Sequence, residues 1–215
     1  PAHRRASSFH LGAAIGVALA LLSTSLARTQ TEGLDANPYR SRARQLSPSS
    51  RGTPIIISEI MYHPLEPGGM EALEYIELFN TEPVAEDLGG YRISGAVDFT
   101  FPAGARLSGR SFVVVAREPE ALRQASGITN VAGPFTGSLP NSGGQVQLRN
   151  RTGALLLEIG YEDQMPWPAA ADGAGHSLQL ARPDYGEGAV GAWSASAFRG
   201  GSPGRALCRQ ALNTA

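Results

Sequence analysis

Residues 55–80, IIISEIMYHPLEPGGMEALEYIELFN, confine the fold more than any other stretch of the chain. They contain two apolar runs rich in Ile, Tyr, Leu and Phe. Each run carries glutamates, and a loop of Pro, Gly and Glu separates them. Short β-branched and aromatic runs bounded by Pro/Gly clusters are strand signals. The segment reads as the opening strand pair of an all-β sandwich.

The same cadence continues. Apolar runs at 91–94, 97–101, 112–117, 145–149, 155–161 and 177–181 alternate with turns such as Pro102-Ala103-Gly104 and Asn141-Ser142-Gly143-Gly144. Turn signals about every ten residues indicate a sandwich or barrel. One helix is expected, at 119–126, where Pro119 suits a first turn and Glu120, Ala121, Leu122 and Arg123 favour helix. The expected core includes Ile60, Ile76, Leu78, Val114, Leu148, Leu157 and Leu178, from their period-two alternation.

The first 27 residues follow an export pattern. His3, Arg4 and Arg5 precede an apolar run at 11–22, and Ser25-Leu26-Ala27 offers small residues for cleavage after Ala27. The run is too short to span well as a transmembrane helix, so the mature chain is expected to have no membrane span and to be secreted or at the cell surface. Residues 28–54, with Arg28, Arg40, Arg42, Arg44 and Arg51 and few apolar residues, read as a flexible linker of net charge +3. A domain at 55–206 and a tail at 207–215 complete the division. Cys208 is the only cysteine, so an exported domain here relies on its core and not on an internal disulfide. The 10 Arg and 17 acidic residues of 55–206 give a net of −7, which disfavours nucleic acid as a partner of the domain surface.

Ten short pieces stand in a telling order: Ile57-Ser58-Glu59-Ile60-Met61-Tyr62-His63-Pro64; Glu74-Tyr75-Ile76-Glu77-Leu78-Phe79-Asn80; Asp87-Leu88-Gly89-Gly90-Tyr91; Phe99-Thr100-Phe101-Pro102-Ala103-Gly104; Phe112-Val113-Val114-Val115-Ala116; Leu139-Pro140-Asn141-Ser142-Gly143-Gly144; Trp167-Pro168; Asp172-Gly173-Ala174-Gly175-His176-Ser177-Leu178; Trp193; and Gly201-Ser202-Pro203-Gly204. In this order they resemble the lamin-tail domain family, and its bacterial exported branch most. The resemblance implies an immunoglobulin-like antiparallel β-sandwich. It also implies a non-catalytic binding or scaffolding module acting on a protein or cell-surface component. The alternative it leaves open is the accessory domain of a larger exported enzyme, a CotH-like kinase, nuclease or phosphoesterase, whose catalytic part lies outside this chain. It supplies no catalytic residues and no cofactor. The ending departs from the familiar pattern, with Ser202 where Thr is usual and Arg205-Ala206-Leu207-Cys208 following.

Candidate chemistry is sparse. Strand parity puts Glu59, Met61 and His63 on one face with Ile57, and Glu77 on one face with Tyr75 and Phe79. If the two strands are neighbours, Glu59, His63 and Glu77 converge on a set that could ligate a metal; the competing reading is a polar strand face. Glu162, Asp163 and Asp172 supply hard oxygens for Ca²⁺, but without a recognised loop spacing. Trp167 and Trp193 are candidate stacking platforms for polysaccharide, or else plugs at the open ends of the core. His176-Ser177 are neighbours that a strand points to opposite faces. Gly186-Glu187-Gly188-Ala189-Val190-Gly191 matches G-x-G-x-x-G without the flanking strand and helix that motif needs. Asn150-Arg151-Thr152 is either a glycosylation acceptor or a hairpin turn.

Overall fold

The computed structural model of the chain describes residues 53–65 and 72–205. The expected signal peptide, the linker as far as residue 52, and the tail at 207–215 lie outside them. The elements run β1 (Ile55–Met61), β2 (Tyr75–Asn80), β3 (Glu86–Asp87), β4 (Arg92–Gly95), β5 (Val97–Thr100), β6 (Arg106–Leu107) and β7 (Phe112–Ala116). Then follow α1 (Pro119–Ser126), β8 (Val131–Ala132), β9 (Thr136–Gly137), β10 (Gly143–Arg149), β11 (Leu155–Glu162), β12 (Leu178–Leu180) and β13 (Trp193–Ala195). They form a six-stranded sheet ordered β13-β12-β1-β2-β7-β8, a five-stranded sheet ordered β11-β10-β4-β5-β9, and a two-stranded β3-β6 ribbon. The pairing is antiparallel except for β7 with β8, which run parallel.

The two large sheets face each other across one apolar layer. Ile57, Ile60, Ile76, Leu78 and Leu178 from the first meet Ile93, Val146, Leu148, Leu157 and Ile159 from the second, and all are fully buried. Burying one such side chain stabilises by about 1.5–3 kcal/mol, so this layer is the main source of stability. A second cluster lies on the outer face of the six-stranded sheet: Met61, Tyr75, Val114, Ala116, Leu122 and Val131. Val114 is buried as expected, in this second cluster under α1. Helix α1 is entered through extended Glu118 with Pro119 in its first turn. It stops at Gly127, whose φ of 74° lets its N–H reach Arg123 O.

The parity expected for β1 is corrected by a bulge. Ile57 pairs with Leu78 and Glu59 with Glu77, so Ser58 is the additional residue. Side chains change face across it. Ile55 and Ile57 point into the sandwich before the bulge, and Ile60 and Tyr62 do so after it. Met61 joins the outer cluster, so it does not share Ile57's face. A one-residue insertion moves every later side chain to the other face, which alternation counting cannot register.

Candidate functional site

The bulge puts two glutamates side by side on neighbouring strands. Glu59 is 2% exposed and Glu77 1%. Isolated charges in such a place cost several kcal/mol each unless they are paired and hydrogen-bonded. Glu59 collects five donors. Its Oε1 accepts from Tyr75 OH, from Ser177 Oγ at 2.5 Å and from the Ser202 N–H at 2.8 Å. Its Oε2 accepts from Gln179 Nε2 at 3.1 Å and Ser202 Oγ at 3.0 Å. Such saturation suits a carboxylate, which only accepts.

Glu77 is held differently. Its Oε2 accepts the Gly204 N–H at 2.6 Å, and its Oε1 lies 2.7 Å from Ser58 Oγ. Burial, and then the charge of Glu59, push its pKa up to about 8, against the pull of the Ser58 and Gly204 hydrogen bonds. Near neutrality Glu77 is thus a neutral acid. Ser58 Oγ can also donate to the Glu77 carbonyl oxygen, at 3.3 Å. The pair then carries one negative charge instead of two. Tyr75 is pushed well above its ordinary pKa by burial and by Glu59, so it remains a donor.

The partners reveal what the pair does. Ser202 and Gly204 belong to a segment that returns after β13 and lies across the outer face of the six-stranded sheet. The two carboxyl groups clasp that segment to β1, β2 and β12. Gly201 is required at its entry: φ is 76°, and a Cβ there would collide with Tyr75 OH and Glu59 Oε1. Segments far apart in sequence are thus joined through buried hydrogen bonds, Glu59 to Ser202 and Glu77 to Gly204.

The other candidate residues are placed as follows. His63 Nδ1 lies 2.8 Å from Asp172 Oδ1, so it ties the end of β1 to the loop before β12 and does not join Glu59 and Glu77. Among the described residues no three His, Cys, Asp or Glu side chains gather as a metal site. Trp167 and Trp193, 8% and 6% exposed, both pack into the sandwich layer, and Trp193 Nε1 donates to Glu187 O at 2.7 Å. His176 Nδ1 is 2.7 Å from Ser196 O while Ser177 turns to Glu59, so the two neighbours do separate. The glycine-rich 186–191 segment is a run of turns ending in a short 3-10 helix at Val190–Ala192. Asn150 Oδ1 accepts from Thr152 N, Thr152 Oγ1 and Ala154 N, which closes the β10–β11 turn. Residue-by-residue reading of the sequence missed Tyr75, Ser177, Gln179 and Ser202 as partners of Glu59. Their signal was present: a glutamate inside an apolar strand needs donors, and a Gly-Ser-Pro-Gly turn offers free N–H groups.

A family model described as the lamin tail domain matches residues 48–163. The match spans β1 to β11 and ends before β12, β13 and the clasped segment. No curated protein matches the chain. The chain belongs to the lamin tail domain family, whose members are immunoglobulin-like and non-catalytic domains.

Proposed function

From membership in the lamin tail domain family, we propose that the chain is an exported, non-catalytic binding and scaffolding module that contacts a protein or another cell-surface component. The observation that carries this reading is the fate of the buried acid–base groups. Glu59, Glu77, Tyr75 and Ser177 are the buried acid–base and hydroxyl groups that the six-stranded sheet brings together. Their hydrogen bonds are spent on one another and on residues 201–204. A general acid or base needs a proton path to a bound substrate, and a group wrapped in protein donors has none. The export part rests on the basic, apolar and small-residue order of residues 3–27.

The test is made in the native host. Intact cells are treated with a membrane-impermeant crosslinker, and the chain is recovered and sequenced from its N-terminus. The reading expects a mature chain starting at Arg28 outside the cytoplasm, crosslinked to a discrete partner. An uncleaved cytosolic chain would overturn the export reading, and turnover of a substrate by the purified chain would overturn the non-catalytic one.

A further inference from the structure

Among the described residues the two large sheets end in four edge strands, and three are stubs. β13 has three residues, β8 two and β9 two. The fourth, β11, has eight. A long edge presents a row of unpaired N–H and C=O groups that templates another strand, and proteins usually shorten or guard such edges. β11 contains no Pro and no Lys, and the one ladder irregularity beside it sits at its start, between Leu148 and Arg149 of β10.

The register shows which backbone groups are open. Ala96 N–H donates to Gln145 O at 2.8 Å, so the Gln145 backbone points toward β4. Alternation then turns Gly144, Val146 and Leu148 toward β11, where they face Tyr161, Ile159 and Leu157. The intervening residues Glu158, Gly160 and Glu162 direct their N–H and C=O away from the sheet. Among the described residues no hydrogen bond reaches those groups. Their side chains also share one face. Leu157, Ile159 and Tyr161 are buried, whereas Glu158 is half-buried and Gly160 and Glu162 are exposed. Neither glutamate has an ion-pair partner among the described residues; Glu158 accepts only from Gln147 Nε2, at 2.7 Å. Gly160 has open space where a Cβ would stand. Beside it Gly143, Gly144, Glu162 and Asp163 line a shallow cleft of about 460 Å³.

We propose that the β11 edge is a docking strand for an extended, basic protein segment that adds to the five-stranded sheet as a sixth strand. The inference rests on the reading of the chain as an interaction module and names its surface and partner class. Main-chain bonds to Glu158, Gly160 and Glu162 supply affinity, and basic side chains at alternating positions meet Glu158 and Glu162, which supplies specificity. A second copy of the chain is disfavoured, since antiparallel β11 strands would bring the acidic faces together, and like charges across a ladder destabilise it.

The experiment uses the full chain and a fluorescent nine-residue peptide alternating arginine with valine or threonine, followed by anisotropy at low and high salt. The basic peptide binds, and its glutamate counterpart does not. Gly160→Pro removes one outward N–H and none of the β10 ladder, and weakens binding at least about tenfold. Glu158→Gln with Glu162→Gln weakens it about tenfold and removes most of its salt dependence. If Gly160→Pro perturbs the fold by dichroism, a peptide N-methylated at alternate amides takes its place and loses binding to the unaltered chain. Binding indifferent to these changes overturns the proposal, as does a dimer in sedimentation that Gly160→Pro abolishes. A cellular crosslinked partner retained by Gly160→Pro would end the edge proposal while leaving the module reading intact. Absence of any such partner beside normal peptide binding would do the reverse.

Discussion

The two large sheets treat their outward surfaces in opposite ways. The six-stranded sheet is covered. Helix α1 lies over Met61, Tyr75, Val114 and Ala116, and residues 201–204 are clasped across Glu59 and Glu77. Among the described residues no element covers the five-stranded sheet's outward face. Its outward side chains are polar (Arg92, Ser94, Gln147, Arg149 and Glu158), and its longest edge is unpaired. The contrast follows from sequence. A sheet with apolar residues on both faces must bury both, and one with alternating polar residues can leave a face in water. The covered side carries stability, and the other is free to carry contacts.

Substitutions that strike the covered side should cost the most. Glu59→Ala removes the acceptor shared by five donors and leaves them buried. We expect a loss of about 3–5 kcal/mol, read as a lower urea midpoint with little change in slope. A loss below about 1 kcal/mol would mean the clasp is dispensable.

Glu77→Gln tests the charge state. Its folded pKa of about 8 lies above the ordinary 4.5, so the folded chain binds this proton more tightly than the unfolded one. The contribution is full below pH 4.5, falls as pH rises from there to about 8, and is flat above. A glutamine with its amide toward Ser58 mimics the protonated acid. The variant's advantage over the wild type should therefore grow from under about 1 kcal/mol at pH 5 to about 3–4 kcal/mol at pH 8, with the curves converging in acid. Urea titrations at several pH values check this; parallel curves would show Glu77 ionised throughout.

Smaller effects sharpen the contrast. Tyr75→Phe deletes one of five donors to Glu59 and keeps the ring in its cluster, so the cost should be about 1–2 kcal/mol. On the five-stranded sheet, Gly160→Pro should cost less than about 0.5 kcal/mol in stability, because its N–H has no partner among the described residues.

Much of this was legible in sequence. The strand cadence, helix α1 and the seven expected core residues follow from alternation and turn chemistry. Val114 sits in the second cluster, under α1, because a strand covered on both faces buries residues of either parity. The bulge at Ser58 was hidden because one additional residue leaves composition and local propensity unchanged. Glu59 and Glu77 were singled out as neighbours, but Ser177, Gln179, Ser202 and Gly204, which hold them, lie more than a hundred residues away, where no local pattern points to them. The three short edge strands β8, β9 and β13 were missed for a related reason. Two- and three-residue strands are defined by their neighbours and not by their own sequence.

Native-state hydrogen exchange tests the difference between the two sheets most directly. The Ser202 and Gly204 amides lie in a turn segment that exposure alone would leave unprotected. The account predicts protection approaching that of β1 and β2, because those amides are locked to buried carboxyl groups. It predicts fast exchange for Glu158, Gly160 and Glu162 between slowly exchanging Leu157, Ile159 and Tyr161. Fast exchange at Ser202 and Gly204, or protection of the outward amides of β11, would contradict it.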